Sequence, residues 1–338
     1  MPPPLVIPYF IPHQGCPHQC VFCNQSVITG HRRSGLDEID ALIREYLSFK
    51  GDRGRVEFAF FGGNFLGLSE RRITELLDRV RPYMDQGLIQ GIRCSTRPDT
   101  ITRDILDLVV PYGLGLVELG VQSMDNHVLE QAGRGHTGEQ TLEAVRILKE
   151  AGLKVGVQVM AGLPGDTMAT ALASTRALAG LVPDLARIYP VLVLAGSKLA
   201  QWYDSGEYTP LTLDQAVEQT GKMLKIFNRA GVPVIRMGLQ AGEMMEDPDQ
   251  MLAGPWHPAF GHLVYSALVF DRACESIDAV HERIGRIELR VHPKSFSRLQ
   301  GNRKANIEKL SLRYPGTKFS IALDSTLARD RVRAVTLP

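Results

Sequence analysis

Runs of apolar, β-prone residues alternate with helix-periodic segments along the first two hundred positions. The clearest pair is "VEFAFFGG" at 56–63 and "SERRITELLDRVRPYM" at 69–84, whose apolar residues recur with helical spacing. Five further strand-like runs are "LVIPYFIP" at 5–12, "IQGIRCST" at 89–96, "GLVELGVQS" at 115–123, "KVGVQVMAGLPG" at 154–165 and "LARIYPVLVLAG" at 185–196. Six strand-then-helix units predict an α/β fold with a parallel sheet. Because a closed barrel needs eight units, we expect a partial (βα)6 TIM-like barrel.

This rhythm changes beyond about residue 205, and we place a domain boundary at 245–246. Residues 1–245 form the predicted barrel with its extension, and residues 246–338 form a smaller α/β C-terminal segment. Residues 287–323 follow the order strand, helix, loop, helix, strand, which resembles a KH module. In a KH module a GxxG loop clamps a nucleic-acid backbone, and "GNRK" takes that place here. The candidate RNA contacts are therefore Gly301, Arg303 and Lys304, although Lys304 replaces the second glycine.

Composition and charge narrow the class of protein. With 338 residues, 44% of them hydrophobic, the chain can bury a large core, and its net charge of +1 excludes a global field that attracts nucleic acid or membranes. Charge is nevertheless uneven, since residues 281–315 carry a local net charge of +6. The start "MPPPLVIPYFIP" does not resemble a signal peptide, and no apolar run approaches the roughly 18 residues of a membrane span. We expect a cytoplasmic protein without membrane contacts.

Three of the five cysteines lie within eight residues, in "CPHQCVFC". In a reducing compartment such a group indicates metal binding or catalysis rather than a disulfide. Cys16, Cys20 and Cys23 could bind three irons of a 4Fe–4S cluster and leave the fourth iron open to chelate a small molecule. The alternative is a structural zinc site that His13 or His18 completes.

Polar residues follow the predicted strands at their carboxyl ends. "HQGC", "GGN", "STRPD", "QSMD" and "GLPGD" each come directly after an apolar run. Because βα barrels place their sites at this end of the strands, we expect these motifs to share one rim with the cysteines. Cys94 falls inside a strand and Cys274 stands alone, so both are interpreted as ordinary buried thiols.

The cysteine motif resembles the C-x3-C-x2-C motif of the radical S-adenosylmethionine (SAM) superfamily, with the aromatic Phe22 before the last cysteine. The resemblance implies a 4Fe–4S cluster and SAM as cofactors, and an external electron donor of the flavodoxin or ferredoxin type. It also implies that the open iron binds the amine and carboxylate of SAM. One electron then cleaves SAM to a 5′-deoxyadenosyl radical, which abstracts hydrogen from a substrate. The catalytic residues that act on the substrate stay unassigned.

The rim motifs extend this resemblance. The glycine pair in "FFGGN" would let backbone carbonyls approach the methionine ammonium, although Asn64 replaces the glutamate common at its position. Gln122 takes the place of a residue that meets the ribose or the methionine part, and "AGLPGDT" follows the strand where the superfamily cradles adenine. The predicted SAM-binding residues are Phe22, Gly62, Gly63, Asn64, Ser95, Arg97, Gln122, Arg134, Gly162 and Pro164.

Within the superfamily, "STRPDTI", "ELGVQSMDNHVLEQAGRGHT" and "RIYPVLVLAGSKL" resemble the catalytic subunit of Elongator, and "GPWHPAFGHLV" resembles its C-terminal extension. The Elongator family modifies wobble uridine in tRNA with acetyl-CoA, so the resemblance implies tRNA as a partner. The first cysteine spacing is shorter than in Elongator, and only about 70 residues follow the extension, too few for an acetyltransferase domain. The resemblance therefore supports radical SAM chemistry rather than acetyl-CoA use.

Two alternatives remain open at this point. One is a radical SAM enzyme that acts on a small molecule and resembles oxygen-independent coproporphyrinogen oxidase, which has a tyrosine where Phe22 stands. The other is a non-catalytic RNA-binding protein with a structural zinc. Metal analysis separates the second alternative, because it predicts one zinc where the other interpretations predict iron and sulfide. Tyr189 and Lys198, which flank the sixth strand, are interpreted as a packed tyrosine and a solvated lysine.

Overall fold

The computed structural model of the chain describes residues 4–11, 14–24, 35–49, 54–239, 247–280 and 285–337. The chain divides into two compact units. The first comprises Met1–Thr212 and Met223–Trp256, and the second comprises Leu213–Lys222 and His257–Pro338. The predicted domain boundary at 245–246 lies outside the described residues and stays a prediction. No helix in the described ranges is both long enough and apolar enough to span a membrane.

Strands and helices alternate along the first unit. The strands are β1 (Leu5–Phe10), β2 (Val56–Phe61), β3 (Gly91–Thr96), β4 (Leu114–Gln122), β5 (Lys154–Ala161), β6 (Leu185–Pro190), β7 (Val193–Leu194), β8 (Val234–Met237) and β9 (Met251–Ala253). The helices are α1 (Leu36–Ser48), α2 (Glu70–Asp85), α3 (Arg103–Val109), α4 (Asn126–Gln131), α5 (Gly138–Glu150), α6 (Met168–Gly180) and α7 (Lys198–Asp204). Helix α8 (Leu213–Arg229) is divided between the two units.

Seven of these strands form one parallel sheet in the order β1-β2-β3-β4-β5-β6-β8. Each strand pairs with the strand before it in that order, as in the register of Leu5 with Val56. The curled parallel sheet confirms the predicted partial βα barrel. The sequence pattern does not predict the seventh strand, β8, because "VIRM" is a short edge strand without a long apolar run.

The two faces of this sheet differ in chemistry. In β4, the buried Val117, Leu119 and Val121 alternate with Glu118 and Gln122, because successive side chains of a strand point to opposite faces. The apolar face is covered by amphipathic helices, and α2 buries Ile73, Leu76, Leu77 and Val80. The opposite face carries charged and polar side chains, among them Glu118, Gln122 and Gln158.

The second unit is a small mixed sheet with helices. Its elements are α9 (Phe260–Asp278), β10 (Arg286–Val291), α10 (Phe296–Gln300), α11 (Ala305–Arg313), β11 (Lys318–Leu323) and β12 (Val332–Leu337). Strand β10 is central, parallel to β11 and antiparallel to β12. Its buried Ile287, Leu289 and Val291 pack with Ile277 and Leu310 in one apolar core.

The loop between α10 and α11 contains the predicted RNA-contact residues. The order of strand, helix, loop, helix and strand agrees with the sequence prediction. Gly301 has φ +78°, and a Cβ there would lie 2.8 Å from the backbone nitrogen of Asn306, so the position requires glycine. Arg303 and Lys304 are exposed and have positive φ values of 50° and 66°. RNA binding by this loop stays a prediction.

Candidate functional site

The cysteine loop (residues 14–24) carries all three clustered thiols at the rim of the sheet. Cys16 is exposed, Cys23 is half-buried and Cys20 is buried. In the part of the chain that the structure describes, no three His, Cys, Asp or Glu side chains are grouped as ligands of a single metal ion. Each thiolate of an iron–sulfur cluster binds a different iron, so its ligands need not converge on one point. Of the two histidines considered for zinc, His18 is exposed and His13 lies outside the described residues.

Backbone hydrogen bonds attach this loop to three other rim segments. The N–H of Asn64, after β2, donates to the carbonyl of Gln14 at 3.0 Å. The N–H of Val21 donates to Ala132 at 3.0 Å, and the carbonyl of Val21 accepts from Leu199 at 2.8 Å. The cysteine loop is therefore held by the segments that follow β2 and α4 and by the first turn of α7.

The side chain of Asn64 adds a further link. It is fully buried, and its Nδ2 donates to the carbonyl of Gly15 at 2.6 Å. Its Oδ1 accepts hydrogen bonds from the backbone N–H of Arg97 at 2.9 Å and from the hydroxyls of Thr96 and Thr100. Asn64 lies at the predicted rim, and its amide connects the cysteine loop to the ends of β2 and β3.

The glycine pair after β2 allows a close backbone approach. A Cβ on Gly63 would lie 2.3 Å from the carbonyl oxygen of Ile11 and 2.8 Å from that of Gln14. Gly62 has φ +87°, a conformation that glycine adopts without strain. A side chain at position 63 would clash with the backbone after β1 and with the cysteine loop, so glycine allows these segments to pack closely.

Two buried arginines lie behind the cysteines. Arg97 pairs with Asp99 through two N–O contacts of 2.9 Å, and its Nη2 also donates to the carbonyl of Arg134. Arg134 donates from Nη1 to Cys20 Sγ at 3.1 Å and from Nη2 to the carbonyl of Gly120. No carboxylate among the described residues forms an ion pair with Arg134. A buried cation beside a thiol suits an anionic cluster ligated by thiolates.

Gln122 and His136 complete the polar part of the rim. Gln122 ends β4 with φ 70°, unusual for a residue with a side chain, and its Oε1 accepts from Gln158 Nε2 at 3.3 Å. His136 is buried, and burial together with the Arg134 and Arg97 cations lowers its pKa to about 3. The imidazole is therefore neutral and adds no positive charge. Ser95 is half-buried in β3, on the strand that ends beside Arg97.

The segment after β5 lines a cavity of about 410 Å³. Gly162 and the buried Pro164 form one wall, and Trp202 and Tyr208 form another. The Tyr208 hydroxyl donates to the carbonyl of Gly162 at 2.7 Å, and Phe22 of the cysteine loop packs against the apolar cluster that contains Tyr208. Ligand sites of this size are usual for drug-sized or nucleoside-sized molecules. Phe22 therefore connects the cysteine loop to the apolar residues beside this cavity.

A feature that sequence reasoning missed is a charged strand cluster of Glu57, Arg93, Glu118 and Arg187. Arg93 contacts Glu57 at 3.2 Å and Glu118 at 2.8 Å, and Arg187 contacts Glu118 at 2.5 Å. The sequence carries a signal for it, because β2, β3, β4 and β6 each contain one of these residues as their single charged residue. Tyr189, interpreted from the sequence as a packed tyrosine, also takes part in a hydrogen bond, because its hydroxyl accepts from Arg187 at 3.2 Å. Lys198 is exposed, as interpreted, and lies over the Trp202 ring.

Known proteins resemble the chain in both sequence and fold. It is 37% identical over 126 residues to the tRNA uridine(34) acetyltransferase of Methanocaldococcus jannaschii, covering 36% of this chain and 23% of that protein. It is 25% identical over 291 residues to Elongator complex protein 3 of Saccharomyces cerevisiae, covering 70% and 52%. The chain therefore spans about a quarter to half the length of these curated relatives.

The fold is similar to that of a solved archaeal structure, Elp3 of Methanocaldococcus infernus with its N-terminus deleted. The TM-score is 0.61 at 22% identity, and the match covers 78% of this chain and 62% of that one. At this identity the likeness establishes the fold alone.

Family models give the assignment. The model of the radical SAM superfamily matches residues 10–178, half of the chain, and the model of the radical SAM C-terminal domain matches residues 183–269. The first match contains the cysteine loop, both arginines and the glycine pair. Membership implies a 4Fe–4S cluster and SAM, and the three thiols with the Arg134 guanidinium beside Cys20 fit an anionic cluster ligated by thiolates. The chain belongs to the radical SAM superfamily and is a radical SAM enzyme.

Proposed function

We propose that Cys16, Cys20 and Cys23 ligate the 4Fe–4S cluster and that the rim around them binds SAM to modify tRNA. The observation that carries the site assignment is the contact of 3.1 Å between Arg134 and Cys20, since it supplies a buried cation at the three-thiol loop. The exposed Cys16 and the half-buried Cys23 leave the outer side of the loop accessible to SAM.

The SAM molecule lies across the rim in this proposal. Backbone carbonyls near Gly62 and Gly63 accept from its ammonium, Gln122 contacts its ribose or methionine part, and the cavity beside Gly162 and Pro164 takes its adenine. Ser95 and Arg97 line the space between. When bound, the cluster and SAM supply the electron and the 5′-deoxyadenosyl radical that abstracts hydrogen from the substrate. The protein orients SAM and excludes water from the reacting groups.

Support for tRNA as the substrate comes from the relatives and from charge. Two proteins that the chain resembles are a tRNA uridine(34) acetyltransferase and an Elongator subunit, although the chain spans only part of each. In the second unit, residues 281–315 carry nine Lys or Arg against three Asp or Glu. Arg303 and Lys304 project as an exposed pair from the loop after α10. Such local basic surfaces are typical of phosphate contact.

The open face of the second sheet adds basic residues. Arg290 lies directly opposite Arg333 in the antiparallel pair, and Arg286 is level with Lys318 in the parallel pair. Glu288, which contacts Arg290 at 2.8 Å, is the one acidic residue of the three strands. Like charges directly opposite each other destabilise a sheet, and a polyanion on this face would relieve that repulsion. We therefore include this face in the proposed RNA surface.

Nucleoside analysis tests the substrate. Bulk tRNA from a strain lacking the gene is digested and compared with wild-type tRNA by mass spectrometry. We expect one modified nucleoside to disappear, to return with the wild-type gene and to stay absent with Cys20→Ala. Identical nucleoside profiles would instead favour the alternative of a small-molecule substrate, for which Arg187 and Tyr189 offer a polar binding face.

Filter binding tests the RNA surface. Two double variants are compared with the wild type: Arg303→Glu with Lys304→Glu, and Lys318→Glu with Arg333→Glu. Each should reduce the affinity for tRNA at least tenfold. Each should also make the slope of log affinity against log salt concentration shallower, by roughly 0.7 to 0.9 per lost phosphate contact. The matched control is Lys154→Glu with Arg176→Glu, an equal change of charge at exposed positions of the first unit. Equal affinities of all variants for tRNA would show that this unit does not bind RNA through these residues.

A further inference from the structure

We propose that Arg134 is a positioning residue for the cluster, because its guanidinium donates a hydrogen bond to the thiolate of Cys20 and so raises the reduction potential of the cluster. The inference rests on the proposed role of Cys20 as a ligand. It goes beyond that proposal by giving Arg134 a function in electron transfer to the cluster, distinct from contact with SAM.

The geometry of Arg134 is restrained from several directions. Nη1 lies 3.1 Å from Cys20 Sγ, and Nη2 donates to the carbonyl of Gly120 in β4. The backbone of the same residue donates to Leu129 at 2.9 Å and accepts from the Arg97 side chain. Both the origin and the tip of the side chain are thus fixed. These contacts orient the Nη1–H group toward the sulfur of Cys20.

The glycines beside Arg134 explain how the loop reaches this position. Gly133 and Gly135 have φ +65° and +67°, and a Cβ on Gly133 would lie 3.1 Å from the carbonyl oxygen of Gln19. The loop and the cysteine loop therefore meet backbone to backbone. Only this close approach brings a side chain from position 134 to the sulfur of position 20.

The balance of charge supports the same role. Arg97 has Asp99 as its carboxylate partner, whereas Arg134 has no ion pair with a carboxylate in the described ranges. A buried cation without a counter-ion is costly, and Nε of Arg134 also has no hydrogen-bond partner there. A 4Fe–4S cluster held by three thiolates is anionic, and reduction by one electron adds negative charge. The guanidinium stabilises the reduced cluster more than the oxidised cluster, so its presence raises the reduction potential.

A redox titration of the reconstituted full-length protein without SAM tests the inference. Arg134→Met should lower the midpoint potential so that the ratio of reduced to oxidised cluster at a fixed potential falls at least tenfold, which is about 59 mV for one electron. Arg134→Lys keeps the positive charge without the planar guanidinium, so its midpoint potential should lie between those of the wild type and Arg134→Met. Arg103→Met removes one exposed arginine elsewhere and should leave the potential unchanged. Omitting SAM separates this role from contact with the SAM carboxylate.

Iron and sulfide contents are measured on every variant. A fully loaded Arg134→Met protein with the wild-type potential would overturn the inference and leave the site assignment standing. Full iron occupancy in Cys20→Ala would overturn the site assignment itself. If Arg134→Met does not retain iron, the test uses Arg134→Gln, which keeps a neutral N–H donor, together with Arg134→Lys. An unchanged midpoint potential in both variants overturns the inference, and a lowered midpoint potential in both supports it.

Discussion

Asn64 Nδ2 lies 2.6 Å from the carbonyl oxygen of Gly15, the residue directly before the first clustered cysteine. The donor belongs to the motif after β2, and the acceptor belongs to the cysteine loop. Since Oδ1 of the same amide accepts from the Arg97 N–H, one side chain determines the spacing of two loops and the end of β3. The superfamily commonly has glutamate here, which cannot donate to a carbonyl when ionised.

Changing Asn64 to Asp should therefore disturb the cysteine loop. The substitution replaces a donor by a carboxylate that faces the Gly15 carbonyl in a buried site, at a cost of about 1–3 kcal/mol or more in the free energy of unfolding. We expect lower iron content after reconstitution and a lower urea midpoint. Asn302→Asp, at an exposed position, is the matched control and should change neither. Wild-type stability in Asn64→Asp would contradict the structural role of this amide.

The cysteines should separate into two classes. Cys16→Ala, Cys20→Ala and Cys23→Ala should each abolish the cluster, whereas Cys94→Ala should retain about four irons and four sulfides. Burial raises the pKa of the Cys94 thiol above its usual range, so this thiol stays protonated and is a poor ligand. Iron and sulfide analysis after anaerobic reconstitution decides, and loss of the cluster in Cys94→Ala would show that the assignment of ligands is wrong.

Gly63→Ala should displace the cysteine loop even though only one methyl group is added. The Cβ would approach the Ile11 carbonyl to 2.3 Å, and backbone groups on both sides leave little room to adjust. We expect a destabilisation of about 1–3 kcal/mol and reduced formation of 5′-deoxyadenosine. Gly180→Ala, whose Cβ would meet nothing within 4 Å, is the control and should behave as wild type. Thermal unfolding and chromatography of the reduced reaction measure the two effects.

Gln122 offers a way to remove a side chain without straining the backbone. Because its φ is 70°, Gln122→Gly should relieve strain of roughly 1 kcal/mol while deleting the amide. If the amide contacts SAM, the dissociation constant for SAM should rise about tenfold at unchanged cluster content. Equilibrium dialysis with labelled SAM measures it. Tight SAM binding by Gln122→Gly would restrict this residue to a structural role through Gln158.

His136 should make the protein less stable in acid. Its pKa is about 3 in the folded state, where burial is the main cause, and about 6.5 in an unfolded chain. Between these values the unfolded state binds more protons, so stability falls as pH decreases from about 6.5 to about 3, by up to about 1.4 kcal/mol per pH unit.

Urea unfolding at pH 7.5, 6.0 and 5.0 measures this dependence. His136→Gln should flatten it, and His127→Gln, at an exposed histidine, should leave it as in wild type. Equal slopes in the wild type and His136→Gln would mean that His136 is accessible to protons in the folded protein.

Much of the fold follows from local patterns. Six strands were identifiable because each is an apolar run with a helix-periodic segment behind it, a pattern that burial against amphipathic helices requires. Strand β8 could not be identified from the sequence, because an edge strand with half-buried residues does not need a continuous apolar run. The cysteine spacing was likewise readable, since three thiols must lie close in sequence to share a loop.

The sequence by itself determined which residue types meet at the rim, because parallel strands place their carboxyl ends together whatever the details of packing. Only the tertiary structure decided which partner each residue has. Arg134 is 114 positions from Cys20, and Asn64 is 49 positions from Gly15, so no local pattern links either pair. The charged strand cluster has the same origin, since its contacts follow from the register of neighbouring strands. Hydrogen bonds depend on distances of a few tenths of an ångström, and such distances are set by the packed sheet rather than by neighbours along the chain.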